Sequence, residues 1–246
     1  MSEYQNSCKI VSINIEKDKH HDTVLPFLQR EQPDVVCMQE VYGNDAERYQ
    51  YELGMKGIFG PMTLCPSRYV LGALHVEGVA IFSRHEISNV KVALYAGYAK
   101  YIPAYVDKDA KTYNHILLSC DVHKDDAVYT IATTHFTWTP NGEPDALQRK
   151  NLAALLRKLK ELSNVVVCGD FNAPRGREIF DKLAKKYTDN IPQEVTTTID
   201  SILHRAPELK LVVDGMFSSR KYIVQNVRAE MGISDHKAIV GEIVII

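Results

Sequence analysis

Val165-Val166-Val167-Cys168-Gly169-Asp170-Phe171-Asn172-Ala173-Pro174-Arg175 is the stretch that decides how the rest of the chain is read. Three valines and a cysteine predict a buried β-strand. Gly169 is expected to end it, and Pro174 keeps the strand from running on. Between them stand an acid and an amide, two residues apart. In extended backbone, residues i and i+2 point to the same side. Asp170 and Asn172 should therefore project together from the mouth of a strand. Asp, Asn, Gly and Pro are also turn formers, so this stretch alone suits a plain turn as well as a working site.

The surroundings supply layers. Just upstream, residues 145–162 carry Leu152, Leu155, Leu156 and Leu159 at helical spacing, with Arg149, Lys150, Arg157, Lys158 and Lys160 on the other side. That basic cluster suits a solvated face, with phosphate binding as the alternative. Just downstream, residues 176–186 predict a short helix. Strands follow at 211–217, 222–229 and 237–246. Toward the N-terminus, 115–122 and 127–133 form a hairpin pattern, and 78–83 and 90–95 are strands. A first strand is expected at 9–15 and a short buried one at 34–38. A helix at 22–32 would be capped by Asp22 or Thr23, with Pro26 in its first turn. Another, at 44–53, would be capped by Asn44 and closed by Gly54. Residues 54–77 show no period and read as loops with a short strand. Residues 96–114, with four tyrosines, suit a surface loop over a site. Hairpins mixed with βαβ units predict one mixed α/β domain over residues 1–246.

Composition narrows the class. With 246 residues, 45% hydrophobic and 24% charged, the chain resembles an ordinary globular protein able to bury a normal core. A net charge of −2 argues against polyanion binding by bulk charge. The five cysteines show no CxxC pair or zinc spacing, and Cys37, Cys120 and Cys168 sit in apolar runs as reduced core thiols. The polar N-terminus lacks a signal-peptide pattern and no apolar run approaches a membrane span. A cytoplasmic protein without membrane association, and a monomer, is the expectation.

Several apolar β runs end in residues a core rejects: Asn14, Glu40, His135, Asp170 with Asn172, Asp214, and Asp235 with His236. Ligands gather at such strand ends in layered α/β folds. Carboxylates, amides and histidines together suit metal-assisted phosphoester hydrolysis. A hard cation such as Mg²⁺ takes oxygen ligands and neutralises phosphate. A carboxylate takes a proton from the attacking water. Histidines hold the phosphate oxygens, and a neighbouring Asp keeps such a histidine cationic.

The motifs Ser12-Ile13-Asn14-Ile15-Glu16, Cys37-Met38-Gln39-Glu40-Val41, Gly78-Val79-Ala80-Ile81-Phe82-Ser83-Arg84, Thr134-His135, Gly169-Asp170-Phe171-Asn172, Val213-Asp214-Gly215-Met216-Phe217 and Ser234-Asp235-His236 run from first strand to last. In that order they resemble the endonuclease/exonuclease/phosphatase superfamily, the group of DNase I, exonuclease III-type abasic-site endonucleases, sphingomyelinases, inositol-polyphosphate 5-phosphatases and tyrosyl-DNA phosphodiesterase 2. The resemblance implies a four-layer α/β/β/α sandwich and a hydrolase dependent on Mg²⁺ or Mn²⁺.

It also implies roles. Glu40 resembles the principal metal ligand, with Asn14 beside metal and phosphate and Asp235 assisting. Asp170 resembles the water-activating residue, oriented by Asn172. His236 resembles the phosphate-binding or acid–base histidine, buttressed by Asp214, and His135 a second phosphate contact. Glu16 stands where several relatives carry Asp, as a metal ligand or a surface carboxylate. Arg175 falls where the tyrosyl-DNA phosphodiesterase branch has a phosphate-binding arginine, although Arg177 and plain exposure compete. Trp138 suits stacking on a base or a packing role. His20 and His21 read as surface residues, and His85, His115, His123 and His204 carry no signal.

The leading substrate is nucleic acid, cleaved as a phosphodiester by a nuclease or end-processing enzyme. The alternatives are a small phosphorylated molecule or lipid headgroup, and a non-catalytic nucleic-acid-binding module. The last is weakened because every one of Glu40, Asp170, Asn172, Asp214, Asp235 and His236 is present.

Overall fold

The computed structural model describes residues 7–67, 71–206 and 208–246. In chain order the elements are β1 (Ser7–Asn14), α1 (His21–Glu31), β2 (Val35–Tyr42), α2 (Gly43–Leu53), β3 (Lys56–Pro66), β4 (Leu74–Ser83), β5 (Glu86–Ala96), β6 (His115–Lys124) and β7 (Ala127–His135). They continue with α3 (Ala146–Lys160), β8 (Val166–Asp170), α4 (Glu178–Ala184), β9 (Thr188–Asp189), β10 (Asp214–Ser218), β11 (Tyr222–Glu230) and β12 (Ala238–Ile245).

Two six-stranded mixed sheets result, ordered β11-β12-β1-β2-β4-β3 and β5-β6-β7-β8-β10-β9. Period-two alternation explains why their central strands read as unbroken apolar runs. In β1 and β2, Cys8, Ile10, Val35 and Cys37 face inward, where they share one core with Ile131, Val166 and Cys168 of the other sheet. Their neighbours Val11, Ile13, Val36 and Met38 face outward and pack on Val24, Phe27 and Leu28 of α1 and Tyr49 of α2. Val167 and Phe217 of the second sheet, with Val165 just before β8, pack in the same way on Leu152, Leu155 and Leu159 of α3 and Phe180 of α4. The order helix, sheet, sheet, helix is the expected four-layer sandwich.

Each sheet is built around one parallel pair, β1 with β2 and β7 with β8. The helices α1 and α3 are the crossovers. The C-terminal ends of these strands, where βαβ units gather ligands, carry Asn14, Glu40, His135 and Asp170. Asp214 joins them because β10 runs antiparallel to β8 with Asp214 opposite Asp170.

Several elements differ from expectation. Residues 54–77 are not mainly loop: β3 is an eleven-residue edge strand, and β4 begins at Leu74. The edge position tolerates Pro61. Gly60 and Gly78 mask the strand pattern because the backbones meet there, and a Cβ on Gly78 would lie 2.0 Å from the Gly60 carbonyl oxygen. Residues 68–70 of this segment lie outside the described residues. Gly169 does not end β8. It sits inside it at φ +152°, where a Cβ would lie 2.0 Å from the Thr134 carbonyl oxygen, so glycine lets β7 and β8 approach. Strand β5 starts at Glu86, ahead of the expected 90, and β10 starts at Asp214, after the expected 211. The helix caps also differ. Helix α1 begins at His21 without a side-chain cap and carries Pro26 in its interior, and α2 begins at Gly43 after Tyr42. Gly54, at φ 60°, closes α2 as expected.

All five cysteines are free and buried. No helix among the described residues is long and apolar enough to cross a membrane.

Candidate active site

One open cavity of ≈ 370 Å³ sits at the strand-end face of the two sheets. Its floor carries Glu40, His135, Asp170, Asn172, Asp235 and His236, and Trp138 is on its wall. Residues 105–113, within the tyrosine-rich segment, supply another wall through Tyr105 and Tyr113.

Asp170 is the hub. Its Oδ1 accepts from the Asn172 backbone N–H at 2.8 Å. Its Oδ2 accepts from Asn14 Nδ2 at 3.2 Å, and lies 3.5 Å from His135 Nε2 and 3.8 Å from His236 Nε2. Asn14 and His236 come from the first sheet's side and Asp170 and His135 from the second, so the hub ties the two sheets together. Burial pushes the Asp170 carboxyl above its usual range; His236 pulls against this and Asp214 adds to it.

Asn172 has a left-handed φ of 48°, which asparagine tolerates. Its Nδ2 donates to the Phe136 carbonyl at 3.1 Å. The bend at Gly169 to Pro174 is therefore both a turn and part of the cavity.

His236 Nδ1 donates to Asp214 Oδ2 at 2.9 Å. Burial opposes its charge, yet the carboxylates of Asp214, Asp170 and Asp235 hold the imidazolium well above the usual histidine range. The start of β10 is fixed by Thr198, whose Oγ1 accepts from the Val213 and Asp214 N–H groups. Asp200 ties the same loop to the C-terminal site loop by accepting from Gly232 N at 2.6 Å.

Glu40 reaches the cavity through a β-bulge. Met38 pairs with Ala80 and Val41 with Gly78, so Gln39 and Glu40 together oppose Val79. Glu40 has φ 54°. Its Oε1 accepts from Asn14 Nδ2 at 3.1 Å and its Oε2 from Lys17 Nζ at 2.5 Å. Burial opposes ionisation, but Lys17, His135 and Asn14 hold this carboxyl well below the usual range. Beneath it, Gln39 Nε2 donates across the sheets to Thr133 Oγ1 at 3.0 Å.

The donor set fits a hard divalent cation. Mg²⁺ is commonly held by one or two carboxylates with several waters and substrate oxygens, and the Glu40 carboxylate supplies that kind of foothold; the Asn14 amide instead turns Nδ2 toward Glu40 and Asp170 and Oδ1 toward Glu16 N. Asp235 lies with another group: it converges with Glu16 and His20, and separately with His204 and His236, each set within 4.8 Å. Among the described residues, no such converging set includes both Asp235 and Glu40. Glu16 lines the cavity rather than standing on open surface, and pairs with Lys19 and His20.

Arg175 is placed elsewhere. Its guanidinium pairs with Asp189 at 2.9 Å and donates to the carbonyls of Ile191, Pro192 and Val195. It stacks over Phe180 and does not line the cavity, so it staples the 189–195 segment instead of meeting phosphate. Arg177 is likewise spent, on Glu143 and the Asn141 carbonyl. The basic residues of α3 also stay off the cavity, with Arg149 paired to Glu178.

Four residues outside the sequence-predicted set belong here. Lys17 and His204 line the cavity, and Glu77 holds Lys17 from behind at 3.3 Å. His115 also lines it and bonds the His135 carbonyl at 3.2 Å. Burial pushes the His115 imidazole down to about 4, so it is neutral at neutral pH and its Nδ1–H donates. A lone Glu inside the apolar run of β4 was the one available clue to Glu77. His20 and His21, expected on the surface, are half-buried: His20 meets Glu16 and His21 bonds the Tyr49 hydroxyl.

With this geometry in view, a model of the Endonuclease/Exonuclease/phosphatase family matches residues 11–236, and the chain belongs to that family. No curated protein matches it in sequence. Solved structures share the fold. The endonuclease/exonuclease/phosphatase from Bacteroides vulgatus is 17% identical at TM-score 0.71, covering 98% of this chain and 100% of that one. The human Nocturnin catalytic domain with bound sulfate is 19% identical at TM-score 0.70, covering 98% and 94%. ANGEL2, a 2′,3′-cyclic phosphatase solved with adenosine-2′,3′-vanadate, is 14% identical at TM-score 0.67, covering 96% and 95%.

Proposed function

We propose that this protein is a divalent-metal-dependent phosphodiesterase acting on nucleic acid, in which Asp170 activates the attacking water. The observation that carries this reading is the convergence on Asp170 Oδ2 of Asn14, His135 and His236, within 3.2 to 3.8 Å. A buried carboxyl with a raised pKa, one oxygen already fixed by a backbone N–H, is suited to take a proton near neutral pH. Sulfate on Nocturnin and an adenosine vanadate on ANGEL2 support a phosphoryl ligand on this fold.

In the proposed reaction a water oxygen attacks phosphorus and passes its proton to Asp170. Asn172 Oδ1 accepts the water's second hydrogen while Nδ2 stays anchored on Phe136. The phosphorus–oxygen bond to the leaving group breaks. His236, held cationic by Asp214, gives the departing oxygen its proton from Nε2. His135 faces the non-bridging oxygens. Glu40 would hold the cation, with Asn14 positioning its carboxylate and Asp235 further along the wall, and Mg²⁺ or Mn²⁺ would supply charge neutralisation on the phosphoryl oxygens. Trp138, half-exposed on the cavity wall, offers a face to a splayed base.

The small volume of the cavity, ≈ 370 Å³, and the net charge of −2 favour a single-stranded or terminal nucleotide over a continuous duplex. They also favour, as a second reading, a small phosphorylated molecule. The test is hydrolysis of bis-p-nitrophenyl phosphate, lost with EDTA and restored by Mg²⁺ or Mn²⁺. Metal-independent turnover would overturn the reading. Single-stranded DNA, RNA, abasic duplex, 5′-tyrosyl DNA and inositol phosphates compared side by side then separate the substrates.

A further inference from the structure

The chain leaves β1 in an unusual way. Glu16 and Lys17, neither of them glycine, stand consecutively at φ 46° and 68°. Left-handed backbone at such residues is strained and persists only where the surroundings over-determine it. Here they do so from three directions. Asn14 Oδ1 accepts from Glu16 N at 3.1 Å, Lys17 N donates to the Glu40 carbonyl at 3.0 Å, and Lys17 Nζ reaches the Glu40 carboxylate at 2.5 Å. The strained turn folds a lysine back onto the side chain best placed to hold the metal.

The ammonium is anchored from behind. Glu77, 1% exposed in the middle of β4, lies 3.3 Å from Lys17 Nζ. Glu77 is itself held by Cys65 Sγ at 2.9 Å and the Tyr113 hydroxyl at 3.4 Å. A buried carboxylate with no catalytic duty is costly unless paired. Its evident work is to keep one positive charge beside Glu40.

We propose that Lys17 is a resident cation of the metal site, fixed on Glu40 by Glu77, and that it sets how strongly a divalent ion is held there. The inference rests on Glu40 as the metal foothold. An ammonium on one carboxylate oxygen occupies a ligand atom and repels an incoming dication, so this site binds its metal weakly and exchanges it readily. When no divalent ion is bound, the Lys17 ammonium keeps the Glu40 carboxylate aimed at the cavity. Lys17 is a positioning residue, acting through Glu40.

Mn²⁺ binding to the substrate-free protein, followed by electron paramagnetic resonance, tests this without using activity. Lys17→Met with Glu77→Gln removes one charge of each sign, so the local net charge is unchanged. This pair should bind Mn²⁺ about tenfold or more tighter than wild type, because the positive end faced the ligand. Glu77→Gln alone should bind more weakly, since Lys17 then answers to Glu40 only. Should the paired variant melt early, Lys17→Gln, whose amide still serves Glu77, takes its place with the same expected tightening. Equal or weaker binding by the charge-balanced variant, or by Lys17→Gln where it stands in, overturns the proposal. Glu40→Gln separates the two readings: Mn²⁺ binding that survives it sinks the Glu40 foothold itself.

Discussion

His236 Nδ1 lies 2.9 Å from Asp214 Oδ2, a bond between a loop feeding the first sheet and a strand of the second. The contact fixes the ring so that Nε2 faces Asp170 at 3.8 Å. Two carboxylates thus bracket one imidazole, and its raised pKa follows from that bracket despite the burial that opposes it.

Asp214→Asn should release that hold. A histidine raised above its unfolded value stabilises the fold fully below about 6.5, and the contribution is lost as pH rises through the folded value. The variant should show a lower His236 pKa by NMR titration and a flatter loss of stability on the alkaline side. The basic limb of the activity profile should move to lower pH. An unmoved His236 titration would show that Asp214 does not set its charge.

Asp170→Asn removes the proton acceptor while keeping the shape. A drop in kcat of about 10²–10⁴ is expected. Melting temperature should hold or rise, because the carboxyl it replaces resists ionisation in its buried place. Near-wild-type turnover would move the base to another residue.

His115 predicts an acid limb of stability. Its imidazole is pushed down to about 4 by burial, so between about 6.5 and that value the unfolded chain binds a proton that the folded chain refuses. Stability should fall by about 3 kcal/mol as pH falls across this window. Urea midpoints from pH 7 to 4 measure it, and His115→Gln should remove most of the slope.

Arg175→Met should act on the fold and not on the chemistry. It breaks a half-buried pair with Asp189 and strips donors from three carbonyls. A loss of about 3 kcal/mol is expected. Turnover of the folded variant at low temperature should stay within about twofold of wild type. A large rise in KM with unchanged stability would return Arg175 to the substrate.

Sequence made the strand-end residues readable because each is a polar group set against an apolar run: Asn14, His135 and Asp170 at the last position of a strand, and Asp214 at the first position of β10, which runs antiparallel to β8. The order of layers came from the family resemblance, whereas the strand and helix pattern alone predicted one mixed α/β domain. Contacts made at a distance were not readable. The salt bridge that takes Arg175 to Asp189 depends on where a two-residue strand falls. Lys17 stands in a charged segment with no motif of its own, and only a left-handed turn brings it inward. Strand β3 was hidden by the glycines and the proline that an edge position and a close backbone approach require.

The hydrogen bond from Asn14 to Asp170, 3.2 Å long, has one end on each sheet, as does that from Gln39 to Thr133. The distance between reacting groups is therefore set by the thickness of the slab between the sheets, in which Cys37 and Cys168 are packed. Such interiors resist compression and carry small displacements intact. A single methylene added there, remote from any substrate, would pry the two halves of the chemistry apart. Fitness at these interior positions should consequently be limited by catalytic alignment well before it is limited by unfolding.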